Sequence, residues 1–121
     1  MLGTISLKNL KTKCIVGILP EERVNEQELF TDIDLTYDFK KSSDSEKIED
    51  TLDYSELAIL LENFVQEKKF QLIETYAESG CELLFNTWPQ IQKIIFKVKK
   101  PAAVPKADYA AVSVTRTKGS I

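Results

Sequence analysis

The sequence predicts an α+β protein in which two helices lie on one face of a four-stranded antiparallel sheet. Two amphipathic helical patterns stand between two pairs of strand patterns, which gives the order ββααββ. The clearest strand pattern, at residues 28–39, alternates apolar and polar side chains. Such alternation is typical of an antiparallel sheet with one covered face and one wet face. The helices are therefore expected to cover a single face of the sheet.

The first two strands are predicted at residues 4–16 and 28–39. In the first strand Ile5 and Leu7 alternate with polar residues, and Leu10 then shifts the phase, which predicts a β-bulge. Residues 17–27 form a predicted loop, and residues 40–50 form a charged connector. The residues expected on the covered side of the second strand are Leu29, Thr31, Ile33, Leu35, Tyr37 and Phe39.

The two helices are predicted to begin near Asp53 and near Leu72. Asp53 is a good N-cap residue, and Glu56 stands three positions later, as in a capping box. The second helix runs to about residue 86 and contains Gly80, which costs about 1 kcal/mol relative to alanine inside a helix. A glycine there predicts close packing against the sheet or the first helix. The apolar stripe of the first helix is Leu57, Ala58, Leu61, Phe64 and Val65.

The last two strands are predicted at residues 91–100 and 108–116. Lys100 shares the parity of Ile94, Phe96 and Val98, so its base is expected to face the covered side. Lys99 has the opposite parity and is expected to face solvent. A single four-stranded sheet leaves two open edges, and a ring of subunits joining those edges would remove them.

Composition limits the possible functions. A chain of 121 residues fits one domain, spanning residues 1–121. It contains no histidine, which excludes a Ser-His catalytic pair and removes the usual zinc ligand. The net charge of −3 argues against a nucleic-acid partner. We expect a cytoplasmic location and no membrane partner, because neither a membrane-spanning run nor a signal-peptide pattern is present. Cys14 and Cys81 are expected to be buried free thiols.

Four residues are candidates for chemistry, although each also has an ordinary structural explanation. Glu74 lies in the first turn of a helix, where a carboxylate complements the helix dipole and could also accept two N–H bonds from a ligand. Lys100 is either a solvated strand-end lysine or a proton carrier beside apolar surface. Tyr54 is either a packing aromatic or a phenolic acid, and Glu22 stands in a charged loop tip.

Four segments together resemble the dihydroneopterin aldolase family. They are residues 17–23 (Gly-Ile-Leu-Pro-Glu-Glu-Arg) followed by Gln27, residues 50–54 (Asp-Thr-Leu-Asp-Tyr), residues 70–74 (Phe-Gln-Leu-Ile-Glu) with Ala77 and Glu78, and Lys100-Pro101 with Arg116. The resemblance spans nearly the whole chain. It implies a T-fold subunit that rings into a barrel, and two tetrameric rings stacked as a homo-octamer. It also implies active sites between neighbouring subunits.

The resemblance implies retro-aldol cleavage of 7,8-dihydroneopterin in folate biosynthesis, without a metal, a Schiff base or another cofactor. In this reading Glu74 anchors the amino-pyrimidinone edge of the pterin, and Lys100 relays protons with an ordered water. Tyr54 comes from the adjacent subunit and helps to protonate or deprotonate the intermediate, and Glu22 lies near the side chain of the substrate. Further residues that would line the pocket are Ile73, Leu52 and Asp53.

Two alternatives remain open at the level of sequence. An epimerase acting on dihydroneopterin triphosphate would need clustered cations, for which Arg23, Lys99 and Lys106 are candidates. A non-catalytic pterin-binding subunit would have lost the residues that could carry the chemistry, whereas this chain retains Glu22, Tyr54, Glu74 and Lys100.

Overall fold

A computed structural model describes residues 1–119 of the chain, so the last two residues of the predicted 1–121 domain lie outside it. Within residues 1–119 the chain forms one four-stranded sheet in the order β1-β2-β3-β4, and every neighbouring pair is antiparallel. The elements, in chain order, are β1 (Leu2–Cys14), β2 (Gln27–Asp38), α1 (Lys40–Ser45), a 3₁₀ turn (Ile48–Asp50), α2 (Tyr54–Lys68), α3 (Ile73–Thr87), β3 (Lys93–Lys100) and β4 (Ala110–Thr117). No helix in the described residues is both long enough and apolar enough to cross a membrane.

The predicted bulge in the first strand is confirmed. Leu7 pairs with Ile33 and Leu10 pairs with Thr31, so β1 carries an extra residue between these two pairs. Asn9 lies in the bulge with a left-handed φ of 54°, a conformation that asparagine tolerates better than most residues. The bulge restores the alternation of β1, which ends with Thr12 and Cys14 buried.

The core lies between the two long helices and one face of the sheet, as the alternation predicts. The helices begin close to the predicted positions, and the Asp53 carboxylate caps α2 by accepting hydrogen bonds from the N–H groups of Ser55 and Glu56. Both free cysteines, Cys14 and Cys81, are buried in this core. Burial raises the pKa of the Cys81 thiol to about 12, so this thiol stays protonated and unreactive at neutral pH. Helical residues buried here include Leu57, Leu61, Val65, Tyr76, Ala77, Gly80 and Leu84.

Gly80 lies where α3 approaches the sheet most closely. A Cβ atom at this position would stand 2.8 Å from Cζ of Phe96, which is closer than carbon atoms tolerate. The Phe96 ring is also in edge contact with Tyr76, with ring centroids 5.4 Å apart. The expected close packing against the sheet is thus confirmed, and it offsets the cost of glycine in the helix.

The charged connector predicted at residues 40–50 contains α1 and the 3₁₀ turn, which the sequence does not indicate. A helix of six residues without a buried side chain has no apolar stripe that periodicity could reveal.

The expectation that Lys99 faces solvent is wrong. Lys99 points to the open face of the sheet, but its side chain is only 12% exposed. Its ammonium forms an ion pair with Asp32 at 3.1 Å and a short hydrogen bond with Asn9.

Candidate active site

The most notable charged contact on the helix side of the sheet joins the end of β3 to the loop between β1 and β2. Lys100 lies on the helix side, as its parity predicts, and its Nζ is 2.8 Å from Oε2 of Glu22. The two side chains are only 14% and 17% exposed. Partial removal of such a pair from water is favourable only where further hydrogen bonds satisfy the remaining atoms.

Those further bonds come from the same loop. Gln27 donates from Nε2 to Oε2 of Glu22 at 3.0 Å, and the Leu19 N–H donates to Oε1 at 3.2 Å. The hydrogen bond from Lys100 lowers the pKa of Glu22 most strongly, and the bonds from Gln27 and Leu19 add to it. Although desolvation opposes them, the pKa of Glu22 falls to about 2. Glu22 is therefore ionised at neutral pH.

Gly17 allows the Glu22 carboxylate to fold back onto the loop. Its φ of 117° lies in the region that favours glycine, and a Cβ atom there would overlap the carboxylate of Glu22. Gln27 also donates to the carbonyl oxygen of Val16 at 2.9 Å, which fixes the amide that orients Glu22. Gly17 and Gln27, at the two ends of the loop, thus both help to position the Glu22 carboxylate.

Glu74 borders the same cleft as the Glu22–Lys100 pair. A hollow of about 210 Å³ is lined by both members of the pair and by the segment that opens α3, including Leu72, Ile73 and Glu74. Leu72, the N-cap residue, provides no side-chain hydrogen bond to the helix start. The first N–H groups of a helix have no intrahelical acceptor, so this end combines N–H donors with a carboxylate. A ring edge that carries both donors and acceptors could bind there.

A second hollow extends the cleft along the loop. It measures about 540 Å³ and shares four lining residues with the first hollow, namely Ile18, Glu22, Lys100 and Ala103. The carboxylate–ammonium pair therefore lies where the two hollows meet. A ligand whose ring lies near Glu74 could place its side chain beside this pair.

Three of the predicted site residues lie elsewhere on the subunit. Leu52, Asp53 and Tyr54 do not line either hollow. They stand at the N-terminal end of α2, whereas the C-terminal end of this helix adjoins the loop through the Gly17 N–H, which donates to the Phe70 carbonyl at 3.2 Å. A helix of 15 residues spans about 22 Å, so Tyr54 stands roughly that far from the end of α2 that adjoins the loop. The Tyr54 side chain is 54% exposed and available to another molecule.

Arg23 and Gln27 form hydrogen bonds that the sequence does not reveal. Arg23 looks like a surface charge or a phosphate-binding cation, but its guanidinium donates to the carbonyl oxygens of Gly17, Lys69 and Phe70 at 2.9–3.3 Å. Every residue carries a carbonyl, so no sequence pattern marks these acceptors. Among residues 1–119 no group of three His, Cys, Asp or Glu side chains could hold a metal ion.

Comparison with known proteins gives a consistent result. A sequence model of the family described as "Dihydroneopterin aldolase" matches residues 5–117. The dihydroneopterin aldolase of Escherichia coli (strain K12) is 31% identical over 119 residues, which cover 95% of this chain and 93% of that protein. Dihydroneopterin aldolase 1 of Arabidopsis thaliana is 32% identical over 117 residues, covering 94% of this chain and 80% of that protein.

A solved structure agrees with the sequence comparisons. The crystal structure of E. coli dihydroneopterin aldolase in complex with neopterin matches with a TM-score of 0.88 and 28% identity, covering 94% of this chain and 98% of that chain. The likeness confirms the T-fold subunit with its ββααββ order, whose sheet remains open in the single chain.

The low pKa of Glu22 predicts how stability depends on pH. Since the folded pKa of about 2 lies below the ordinary value of 4.5, ionised Glu22 stabilises the fold above pH 4.5, and this contribution is lost as the pH falls towards 2. Glu22→Gln should therefore lower the free energy of unfolding most near neutral pH. The difference from wild type should shrink steadily below pH 4.5. Denaturant unfolding at a series of pH values measures it.

Glu21→Gln is the matched control, because it removes the same charge one residue earlier and the Glu21 carboxylate forms no ion pair within the described chain. A stability difference for Glu22→Gln that stays constant from pH 7 to about pH 3 would contradict the assigned pKa.

Proposed function

The chain belongs to the dihydroneopterin aldolase family, and we propose that it cleaves 7,8-dihydroneopterin into 6-hydroxymethyl-7,8-dihydropterin and glycolaldehyde. The observation that carries this proposal is a single cleft bordered by the Glu22–Lys100 pair and by Glu74. The protein would act in folate biosynthesis, and we propose a cytoplasmic location for it.

The reaction breaks the bond between the first and second carbons of the substrate's side chain. The hydroxyl on the second carbon loses its proton and becomes the aldehyde of glycolaldehyde, while the electron pair of the broken bond passes into the C=N bond of the protonated pterin ring. The first carbon then takes up a proton and becomes the hydroxymethyl group, while the ring nitrogen gives up its proton and the C=N bond is restored. Because the substrate is its own electron sink, the protein needs to supply only orientation and proton transfer. A metal and a lysine Schiff base are then unnecessary.

The residues of the cleft suit these tasks. Glu74 would accept two N–H bonds from the amino-pyrimidinone edge, as carboxylates do with amidine-like groups. Ile73 would line the ring site beside it. Lys100 would relay protons through an ordered water, as an acid and base and not as a covalent nucleophile. Glu22 would accept hydrogen bonds from the side-chain hydroxyls, since its low pKa keeps it ionised.

Tyr54 would reach the cleft from a neighbouring subunit. It is exposed at the N-terminal end of α2, opposite the end that adjoins the loop, and Leu52 and Asp53 stand beside it. The sheet has open edges at β1 and β4, so subunits could join edge to edge in a ring. We propose tetrameric rings, stacked as an octamer, in which each site takes Lys100 from one chain and Tyr54 from the next.

The triphosphate-specific epimerase is less well supported than the aldolase. Two of the three cations that might bind a triphosphate are already engaged elsewhere. The Arg23 guanidinium binds backbone carbonyls, and Lys99 pairs with Asp32 on the opposite face of the sheet. A non-catalytic subunit would not require the hydrogen-bonded Glu22–Lys100 pair.

Product analysis tests the proposed activity. Purified protein incubated with 7,8-dihydroneopterin and a chelator should release glycolaldehyde and 6-hydroxymethyl-7,8-dihydropterin in equal amounts. Epimerised substrate without glycolaldehyde, or turnover of only the triphosphate, would instead establish the epimerase. Tight pterin binding without any chemistry would establish a non-catalytic subunit.

Substitutions at Glu74 and Lys100 should separate binding from chemistry. Glu74→Ala removes a charged hydrogen-bond acceptor and should raise KM by roughly 10- to 100-fold with a smaller effect on kcat. Lys100→Ala should lower kcat by about 100- to 10,000-fold while pterin binding is largely retained. Lys93→Ala, at the other end of β3, is the control. Equal loss of pterin affinity in both variants would contradict the separate roles.

Mixing two variants of low activity tests the shared site. Tyr54→Ala and Lys100→Ala subunits, dissociated and reassembled in equal amounts, should recover activity at about a quarter of the sites, because that fraction pairs two native residues in a cyclic interface. Each variant reassembled alone is the control. No recovery in mixed oligomers would mean that Tyr54 does not serve the neighbouring chain.

A further inference from the structure

We propose that Arg23 is a positioning residue for the aldolase reaction, because it joins the loop that carries Glu22 to the turn that leads into Glu74. This inference rests on the proposed function. Arg23 and Glu22 are adjacent in the chain, but they contact different parts of the subunit. Glu22 binds Lys100 at the end of β3, whereas Arg23 binds the turn between α2 and α3, residues 69–72.

The contacts of Arg23 span both segments. Its Nη1 donates to the Gly17 carbonyl at 3.0 Å and to the Phe70 carbonyl at 3.3 Å, and its Nη2 donates to the Lys69 carbonyl at 2.9 Å. One guanidinium thus bonds one carbonyl of the loop and two of the turn. Within residues 1–119 Arg23 forms no ion pair with a carboxylate, so its charge acts on backbone dipoles.

The acceptors on the turn are groups that the helix itself leaves unsatisfied. Lys69 is the C-cap residue of α2, and its carbonyl and that of Phe70 lie beyond the last helical hydrogen bond. The C-terminal end of a helix carries partial negative charge, which favours a cation there. A planar guanidinium can reach three carbonyls in fixed directions, whereas the ammonium of lysine is a compact charge without this geometry.

The turn is the more firmly held of the two segments. The Phe70 ring stacks on Tyr76 at 5.7 Å between centroids and contacts Phe64 at 5.6 Å, which joins the turn to the core. The loop has no such packing, since Ile18, Leu19 and Val24 are at least half exposed. Without Arg23 the loop keeps only the bond from the Gly17 N–H to the Phe70 carbonyl as its backbone link to the turn in the described part of the chain. Loss of Arg23 should therefore loosen the loop and leave the turn in place.

This difference predicts that loss of Arg23 displaces Glu22 more than Glu74. Glu22 should lose its fixed position relative to Lys100, while Glu74 keeps its place at the start of α3. Glu22 would orient the substrate's side chain beside Lys100, so its displacement should slow the chemical step more than it weakens binding of the pterin ring at Glu74. A residue needed only for folding would not separate these two quantities.

Kinetics and hydrogen exchange on the assembled protein test the proposal. Arg23→Ala should lower kcat roughly tenfold and change KM less than about twofold, and Arg23→Lys should restore part of kcat. Amide exchange should accelerate in residues 17–23 and stay unchanged in residues 73–76. Gln66→Ala is the control, because it removes a side-chain bond from the last turn of α2 to a backbone carbonyl outside the loop, that of Lys13 in β1.

Several results would overturn the proposal. One is an Arg23→Ala kcat equal to that of the Gln66→Ala control, and another is unchanged exchange in residues 17–23. A rise in KM as large as the fall in kcat would also overturn it. If Arg23→Ala does not fold, Arg23→Lys carries the same comparison. If the wild type does not cleave 7,8-dihydroneopterin, the proposed function fails, and the exchange data alone then decide whether Arg23 holds the loop.

Discussion

The ion pair between Glu22 and Lys100 is the interaction on which the organisation of the cleft depends. It connects a loop that has little core packing to the rigid end of β3. A largely buried pair of this kind requires its remaining oxygen and nitrogen atoms to be satisfied, because desolvation otherwise exceeds the attraction. Gln27 and the Leu19 N–H meet that requirement for Glu22, and Gly17 leaves space for the carboxylate because it lacks a Cβ atom. Much of the β1–β2 loop therefore holds the Glu22 carboxylate in position.

A chain without histidine must carry out proton transfer with other groups, and the fold places a lysine and a carboxylate beside one cleft. Lys100 ends a strand whose preceding helix-side residues, Val98 and Phe96, are fully buried, so its base is held while its ammonium reaches the cleft. Glu74 opens a helix at the other side of the same cleft. Strand and helix ends are set by the core, which places these two groups more reproducibly than two loops could.

The sequence predicts the parts of the structure that depend on local patterns. Alternation places Lys100 on the helix side, capping chemistry places the start of α2 at Asp53, and the phase shift at Leu10 marks the bulge. It does not predict the partners of Arg23, because backbone carbonyls leave no mark on the sequence. The short helix α1 leaves no periodic pattern because it buries no side chain, and the burial of Lys99 is not predicted because its partner Asp32 lies on another strand. The resemblance supplied the roles of Glu22, Glu74 and Tyr54, which no single-residue argument could.

Cleavage in D₂O tests most directly whether this cleft works by proton transfer. The account predicts that 6-hydroxymethyl-7,8-dihydropterin takes a single solvent deuteron at the hydroxymethyl carbon, in one configuration, and that Lys100→Ala slows its incorporation together with glycolaldehyde release. A product without solvent deuterium, or incorporation at the wild-type rate and configuration in Lys100→Ala, would contradict it.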